Sequence, residues 1–121
     1  MKVNDKTIVV TGAGSGMGRE LTIQMVKKGA RVAMVDINTQ GMIETASLAG
    51  GSNVSYHEID ISNRTNVEQL PESVIKIHGN IDGIINNAGI IQPFVDVKNL
   101  GYDKIERIMN INFYGTLYMT K

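Results

Sequence analysis

The stretch Thr7-Ile8-Val9-Val10-Thr11-Gly12-Ala13-Gly14-Ser15-Gly16-Met17-Gly18 narrows the folds open to this chain more than any other. Its first part is β-branched and apolar after Thr7, without the polar alternation of a half-exposed strand, so it reads as a strand buried on both faces of a parallel sheet. Four glycines then fall between positions 12 and 18, and a helical pattern runs from Gly16 to Lys28, with Leu21, Met25 and Val26 at helical spacing and Gly29 as its stop. Glycines at a strand-to-helix turn let the backbone come close to a pyrophosphate. The helix N-terminus adds unpaired N–H groups and a partial positive charge.

The same alternation continues. Arg31 to Val35 reads as a strand, Thr39 to Leu48 as a helix with Asn38 as N-cap, and Val54 to Ile59 as a third strand. Asn63 to His78 is helical, with Pro71 expected to break, kink or restart it. Ile81 to Ile85 is a fourth strand, and after a loop with Pro93 a last helix runs from about Tyr102 to the end. A βαβαβαβα order predicts an α/β fold, a Rossmann-like doubly wound parallel sheet truncated after about four strands. Ligands of such sheets sit beyond the carboxyl ends of the strands.

Composition excludes several classes. Twelve Lys+Arg balance twelve Asp+Glu, which leaves no basic footprint for nucleic acid and no polybasic membrane anchor. There is no cysteine, so disulfides, thiolate metal sites and a cysteine nucleophile are out. His57 and His78 have no clustered ligands in the sequence and read as structural or surface residues, so no metal site is expected. No apolar stretch approaches a membrane span, and the opening MKVNDKTIVV has no signal-peptide core, so a cytoplasmic protein is expected.

The common dinucleotide fingerprint G-x-G-x-x-G does not fit, since its third glycine would fall at Met17 or Arg19. T-G-x-x-x-G-x-G does fit, on Thr11, Gly12, Gly16 and Gly18. Asp36 ends the second strand at about the distance expected of a ribose-binding acid; taken alone it reads as a capping or turn residue. Asn86-Asn87-Ala88-Gly89 ends the fourth strand. In these motifs the chain resembles the short-chain dehydrogenase/reductase family, over essentially all of its 121 residues but only about the first half of a family member.

The resemblance implies a set of roles. Gly12, Ser15, Gly16, Met17 and Gly18 form the phosphate loop. Asp36 accepts from the adenosine ribose hydroxyls and repels a 2′-phosphate, and the uncharged Ser15 and Ile37 offer that phosphate no cation, so NAD is preferred over NADP. Asp60 and Ile61 hold the adenine, although Asp60 alone reads as an N-cap. Asn87, Ala88 and Gly89 line the cofactor, and Asn86 braces the sheet. Asp82, at the other end of its strand, reads as a turn acid. In Asn110-Ile111-Asn112-Phe113-Tyr114-Gly115, Asn112 matches the family's catalytic Asn, which distorts its helix and extends a proton relay; Asn110 is the rival position.

The family's reaction also needs a Ser and a Tyr-x-x-x-Lys pair. None of the four tyrosines has Lys four residues on: Tyr56 leads to Asp60, Tyr102 to Glu106, Tyr114 to Tyr118, and Tyr118 to the chain end. The expectation is therefore a single incomplete NAD-binding domain, residues 1–121, inactive alone, from an enzyme acting on a small alcohol or ketone. The alternative is a non-catalytic dinucleotide-binding module. The last helix carries Ile108, Ile111, Phe113, Leu117 and Met119, a stripe that reads as core, dimer interface or exposed liability; the resemblance implies that it packs the subunits of a homo-oligomer together.

Overall fold

The computed structural model describes residues 2–121. Strands β1 (Thr7–Thr11), β2 (Arg31–Asp36), β3 (Val54–Glu58) and β4 (Gly83–Ile85) alternate with helices α1 (Gly16–Lys27), α2 (Thr39–Leu48) and α3 (Arg64–His78). The chain ends in α4 (Tyr102–Ile108), a π-helical segment Met109–Gly115, and α5 (Thr116–Thr120). All pairings are parallel and the strand order is β3-β2-β1-β4. The expected α/β architecture, with four strands of a Rossmann-like sheet, is the one observed.

Strand alternation builds two cores. Ile8, Val10, Val32 and Met34 point to one face, where Met25 of α1 and Met42 and Ala46 of α2 cover them. Val9, Ala33 and Val35 point to the other, against Val67, Leu70 and Val74 of α3. Both faces of β1 and β2 are thus dry, which is why their sequences show no polar alternation. Val10, Val32 and Val35 have no exposed surface, and each such burial contributes about 1.5–3 kcal/mol. β3 is an edge strand, and there the alternation returns: Ser55 and His57 are buried while Tyr56 and Glu58 are exposed.

Asn38 caps α2 as expected, accepting from the Gly41 N–H at 2.9 Å. Asn63 caps α3, accepting from the Asn66 N–H at 3.1 Å. Pro71 departs from two of the three outcomes expected of it, because a single helix runs through it from Arg64 to His78 without a break or restart. Its side is solvent-exposed, and Val67, Leu70 and Val74 pin the helix to the sheet on both sides of the missing N–H. The last helix runs from Tyr102 to Thr120 but is widened over Met109–Gly115, around Asn112. Its apolar stripe divides accordingly. Ile111 and Met119 reach the core, whereas Phe113 and Leu117 are exposed. β4 is shorter than expected and pairs only with β1, so its other edge is open.

Candidate functional site

A cleft of about 730 Å³ lies at the carboxyl ends of the strands. Of the expected cofactor residues, Gly12, Ser15, Gly16 and Met17 of the glycine turn line it. So do Asp36 and Ile37 after β2, Asp60 and Ile61 after β3, and Asn87, Ala88 and Gly89 after β4. Gly18 does not; it lies buried beneath the turn, where a Cβ would meet Gly12 carbon at 2.6 Å and Asn87 Nδ2 at 2.7 Å. Its part is to let α1 close onto β1. Gly16 is the opposite case, with φ +55° and nothing within 4 Å of the place a Cβ would take. Ser15 caps α1 without a side-chain hydrogen bond, and residues 15–17 are exposed. The helix therefore opens an uncapped N-terminus, with its N–H groups, into the cleft.

The Asp36 carboxylate is fixed by two backbone donors. Gly14 N–H donates to Oδ2 at 2.8 Å and Asn38 N–H to Oδ1 at 3.0 Å. Gly14 is required for this approach, because a Cβ on it would lie 2.9 Å from Oδ2. Asp60 accepts from the Ser62 N–H at 2.9 Å and hydroxyl at 2.6 Å. The cap of α3 falls to Asn63, so the capping reading of Asp60 does not hold. Thr11 joins β1 to β4: its Oγ1 accepts from the N–H groups of Asn87 at 3.0 Å and Ala88 at 2.9 Å. Asn87 Nδ2 donates back to Thr11 O at 3.1 Å. The bracing expected of Asn86 is thus carried out by Asn87, whose amide reaches the neighbouring strand. Asn86 donates to Thr120 Oγ1 at 3.0 Å instead and ties the turn to α5.

Asn112 lies in the π-helical segment and stands off the cleft. It holds the Ile90 backbone at two points: Oδ1 accepts from the N–H at 2.9 Å and Nδ2 donates to the carbonyl at 2.8 Å. Asn110 lines the cleft, together with Asp103, Glu106 and Arg107 on the far wall. Gly115 packs on Ile61, where a Cβ would meet Cγ1 at 2.6 Å.

Several participants escaped the sequence reading. Arg19 reaches from α1 to the carbonyls of Gly14 at 2.7 Å and Gly41 at 3.3 Å, to Thr45 Oγ1 at 3.0 Å and to Glu44 at 3.2 Å. Its signal was available, because a cation in the first turns of a helix opposes the helix dipole. Gly14 and the acids of α4 carried none.

At the opposite end of the sheet, Asp82 accepts from the Thr7 N–H at 2.8 Å and from Asn80 Nδ2 at 2.9 Å. The Thr7 hydrogen bond holds its carboxyl below the usual carboxylate range, and it is the turn acid it was expected to be. His57 and His78 meet through Ser55, whose Oγ lies 2.8 Å and 2.9 Å from their Nε2 atoms. Burial, then the neighbouring His78, lowers the pKa of His57; burial, then Arg31, lowers that of His78. Among the described residues no group of three metal-ligating side chains occurs, and no helix is long and apolar enough to cross a membrane.

A glycine turn, a fixed carboxylate and an Asn-Ala-Gly turn, each at the carboxyl end of a parallel strand, define a Rossmann-like nucleotide-binding class of fold. The short chain dehydrogenase family profile matches residues 6–121, and the chain belongs to that family, of which it covers the N-terminal part. It is similar to the short-chain dehydrogenase reductase 3b of Arabidopsis thaliana, at 32% identity over 120 residues, 99% of this chain and 47% of that protein. Its fold matches NAD+-bound xylitol dehydrogenase with a TM-score of 0.93 at 26% identity, covering 99% of this chain and 47% of that one. It matches the 3-ketoacyl-(acyl-carrier-protein) reductase of Brucella melitensis complexed with NADH equally well, at 0.93 and 30% identity, over 98% and 48% of the two chains. The chain spans about half the length of the curated relatives it matches.

Proposed function

We propose that the cleft binds a nicotinamide adenine dinucleotide, NAD in preference to NADP. The chain is then the cofactor-binding part of an oxidoreductase that interconverts a small alcohol and its ketone. The observation that carries this reading is Asp36, a carboxylate held by two backbone N–H groups on the wall of the same cleft into which α1 opens. The open space at Gly16 and the uncapped start of α1 fit a pyrophosphate. The NAD+ and NADH complexes of two similar structures support the same cofactor.

In this reading the backbone N–H groups of residues 15–17 receive the pyrophosphate. Asp36 accepts from the ribose hydroxyls, and its charge repels a 2′-phosphate. Asp60 and Ile61 border the adenine, and Asn87, Ala88 and Gly89 pass beneath the adenosine. Asn112 supports the relay that moves a proton near the substrate oxygen. When bound, the cofactor supplies the hydride acceptor or donor. The sequence has no Tyr-x-x-x-Lys pair to handle the substrate proton, so the 121-residue chain alone turns over no alcohol. The exposed Phe113 and Leu117 join subunits of a homo-oligomer, and the protein works in the cytoplasm without membrane or nucleic-acid partners.

Thermal unfolding with NAD, with NADP and with neither tests the proposal. A ligand that binds only the folded chain, at about a hundred times its Kd, stabilises it by about 2.7 kcal/mol. A shift with NAD and little with NADP is expected. No shift with either overturns the cofactor reading, and equal shifts overturn the preference for NAD.

A further inference from the structure

Asp36 is held by an N–H whose own peptide is held from behind. The Ala13–Gly14 peptide presents Gly14 N–H to Asp36 on one side and Ala13 C=O on the other, where Thr45 Oγ1 donates to it at 2.8 Å. The peptide is planar, so fixing one edge aims the other. Thr45 has a single hydroxyl proton, and its oxygen also accepts from Arg19 Nε at 3.0 Å. The arginine is always protonated and cannot accept, so the threonine proton is turned toward the carbonyls of Ala13 and Gly41. The Arg19 NH2 group then takes the Gly14 carbonyl at 2.7 Å. That carbonyl is wedged against Gly41, where a Cβ would lie 2.6 Å from it.

We propose that Arg19, acting through Thr45 and the Ala13–Gly14 peptide, is a positioning residue for cofactor selectivity. It keeps Gly14 N–H aimed at Asp36, and so keeps the carboxylate where it accepts ribose hydroxyls and repels a 2′-phosphate. The inference rests on the dinucleotide reading above. Arg19 does not line the cleft. Each bond in the chain polarises the next, from guanidinium to hydroxyl to carbonyl to carboxylate, so loss of the first member weakens the hold on the last. The arginine also sits where the helix dipole disfavours it, and satisfied carbonyls on the glycine turn and α2 are what offset that cost.

The test uses the 121-residue chain, its Arg19→Met, Arg19→Lys and Thr45→Val variants, and two readouts. The first is amide hydrogen exchange at Gly14 without cofactor, which Arg19→Met and Thr45→Val should speed at least tenfold relative to the core amides of β2. The second is the ratio of NADP to NAD dissociation constants. Arg19→Met should lower it about tenfold, equivalent to about 1.4 kcal/mol, with Arg19→Lys restoring part of it. A merely structural arginine would weaken both dinucleotides alike and leave the ratio unchanged, and that result overturns the inference. Unchanged Gly14 exchange in Arg19→Met overturns it as well. If the wild-type chain binds neither dinucleotide, the function reading has failed, and the selectivity claim falls with it whatever the Gly14 amide does.

Discussion

Replacing Gly18 by Ala should cost stability, whereas the same change at Gly16, two residues earlier, should cost little. At Gly18 the added methyl meets Gly12 carbon at 2.6 Å and Asn87 Nδ2 at 2.7 Å. Neither can yield freely, since one is backbone and the other is bonded to Thr11 O. α1 must back away from β1, or Asn87 must release the strand. Overpacking of this kind costs about 1–3 kcal/mol, and a lost hydrogen bond adds about 1 kcal/mol. The better helix propensity of Ala returns about 0.5–1 kcal/mol, which leaves a net loss of about 1–3.5 kcal/mol. For 121 residues, an unfolding entropy of about 2.1 cal/mol/K per residue converts this into a Tm lowered by about 4–14 °C. Gly16 has open space but a φ of +55°, so Ala there costs about 1 kcal/mol of left-handed strain, or about 4 °C. Reversible thermal denaturation followed by circular dichroism measures both. A Gly18→Ala variant melting within about 2 °C of wild type, or less perturbed than Gly16→Ala, refutes the packing argument.

Asp36→Ala should weaken NAD binding and narrow the gap between NAD and NADP by titration; an unchanged preference removes Asp36 from the ribose role. Gly16→Val should abolish dinucleotide binding by filling the open space above the turn, and normal affinity in a folded variant would contradict the phosphate-loop assignment. Asn112→Ala frees both polar groups of Ile90, so amide exchange at Ile90 should accelerate while exchange in β2 stays unchanged. The histidine pair predicts a pH dependence. Both pKa values are lowered on folding, so the unfolded chain binds more protons once pH falls below about 6.5. Tm should therefore decline on acidification from that point down through the native values, and His57→Gln should flatten the decline between about pH 7 and 5.5; an identical slope in the variant would refute it.

What the sequence revealed was local and periodic. The unbroken apolar runs of β1 and β2 announce burial on both faces, and Asn38 announces the start of α2, because each signal lies within the segment it shapes. The strand ends could be located for the same reason, and the cleft-lining positions of Asp36, Asp60 and Asn87 follow from the parallel alternation. Partnerships across the fold were not legible. Nothing near Arg19 names Thr45, 26 positions away, and nothing in Asn86-Asn87 says which amide reaches Thr11. Pro71 neither breaks nor restarts its helix, because Val67, Leu70 and Val74 hold that helix on the sheet on both sides of it. The π-helical widening around Asn112 has no periodic signature of its own; it was expected only as a distortion, through the family resemblance.

The pairing pattern of β1 also dictates an order of assembly. Its partner on one side, β2, lies 24 positions away at Thr7 and Arg31. On the other side, β4 lies 75 positions away at Ile8 and Gly83. Closing the longer loop costs about 1 kcal/mol more in chain entropy, and β4 repays it with only three strand residues. The β1-β2-β3 sheet should therefore form first. Until β4 docks, the most buried strand of the molecule waits with one edge bare, and the chain's most aggregation-prone interval is that last step.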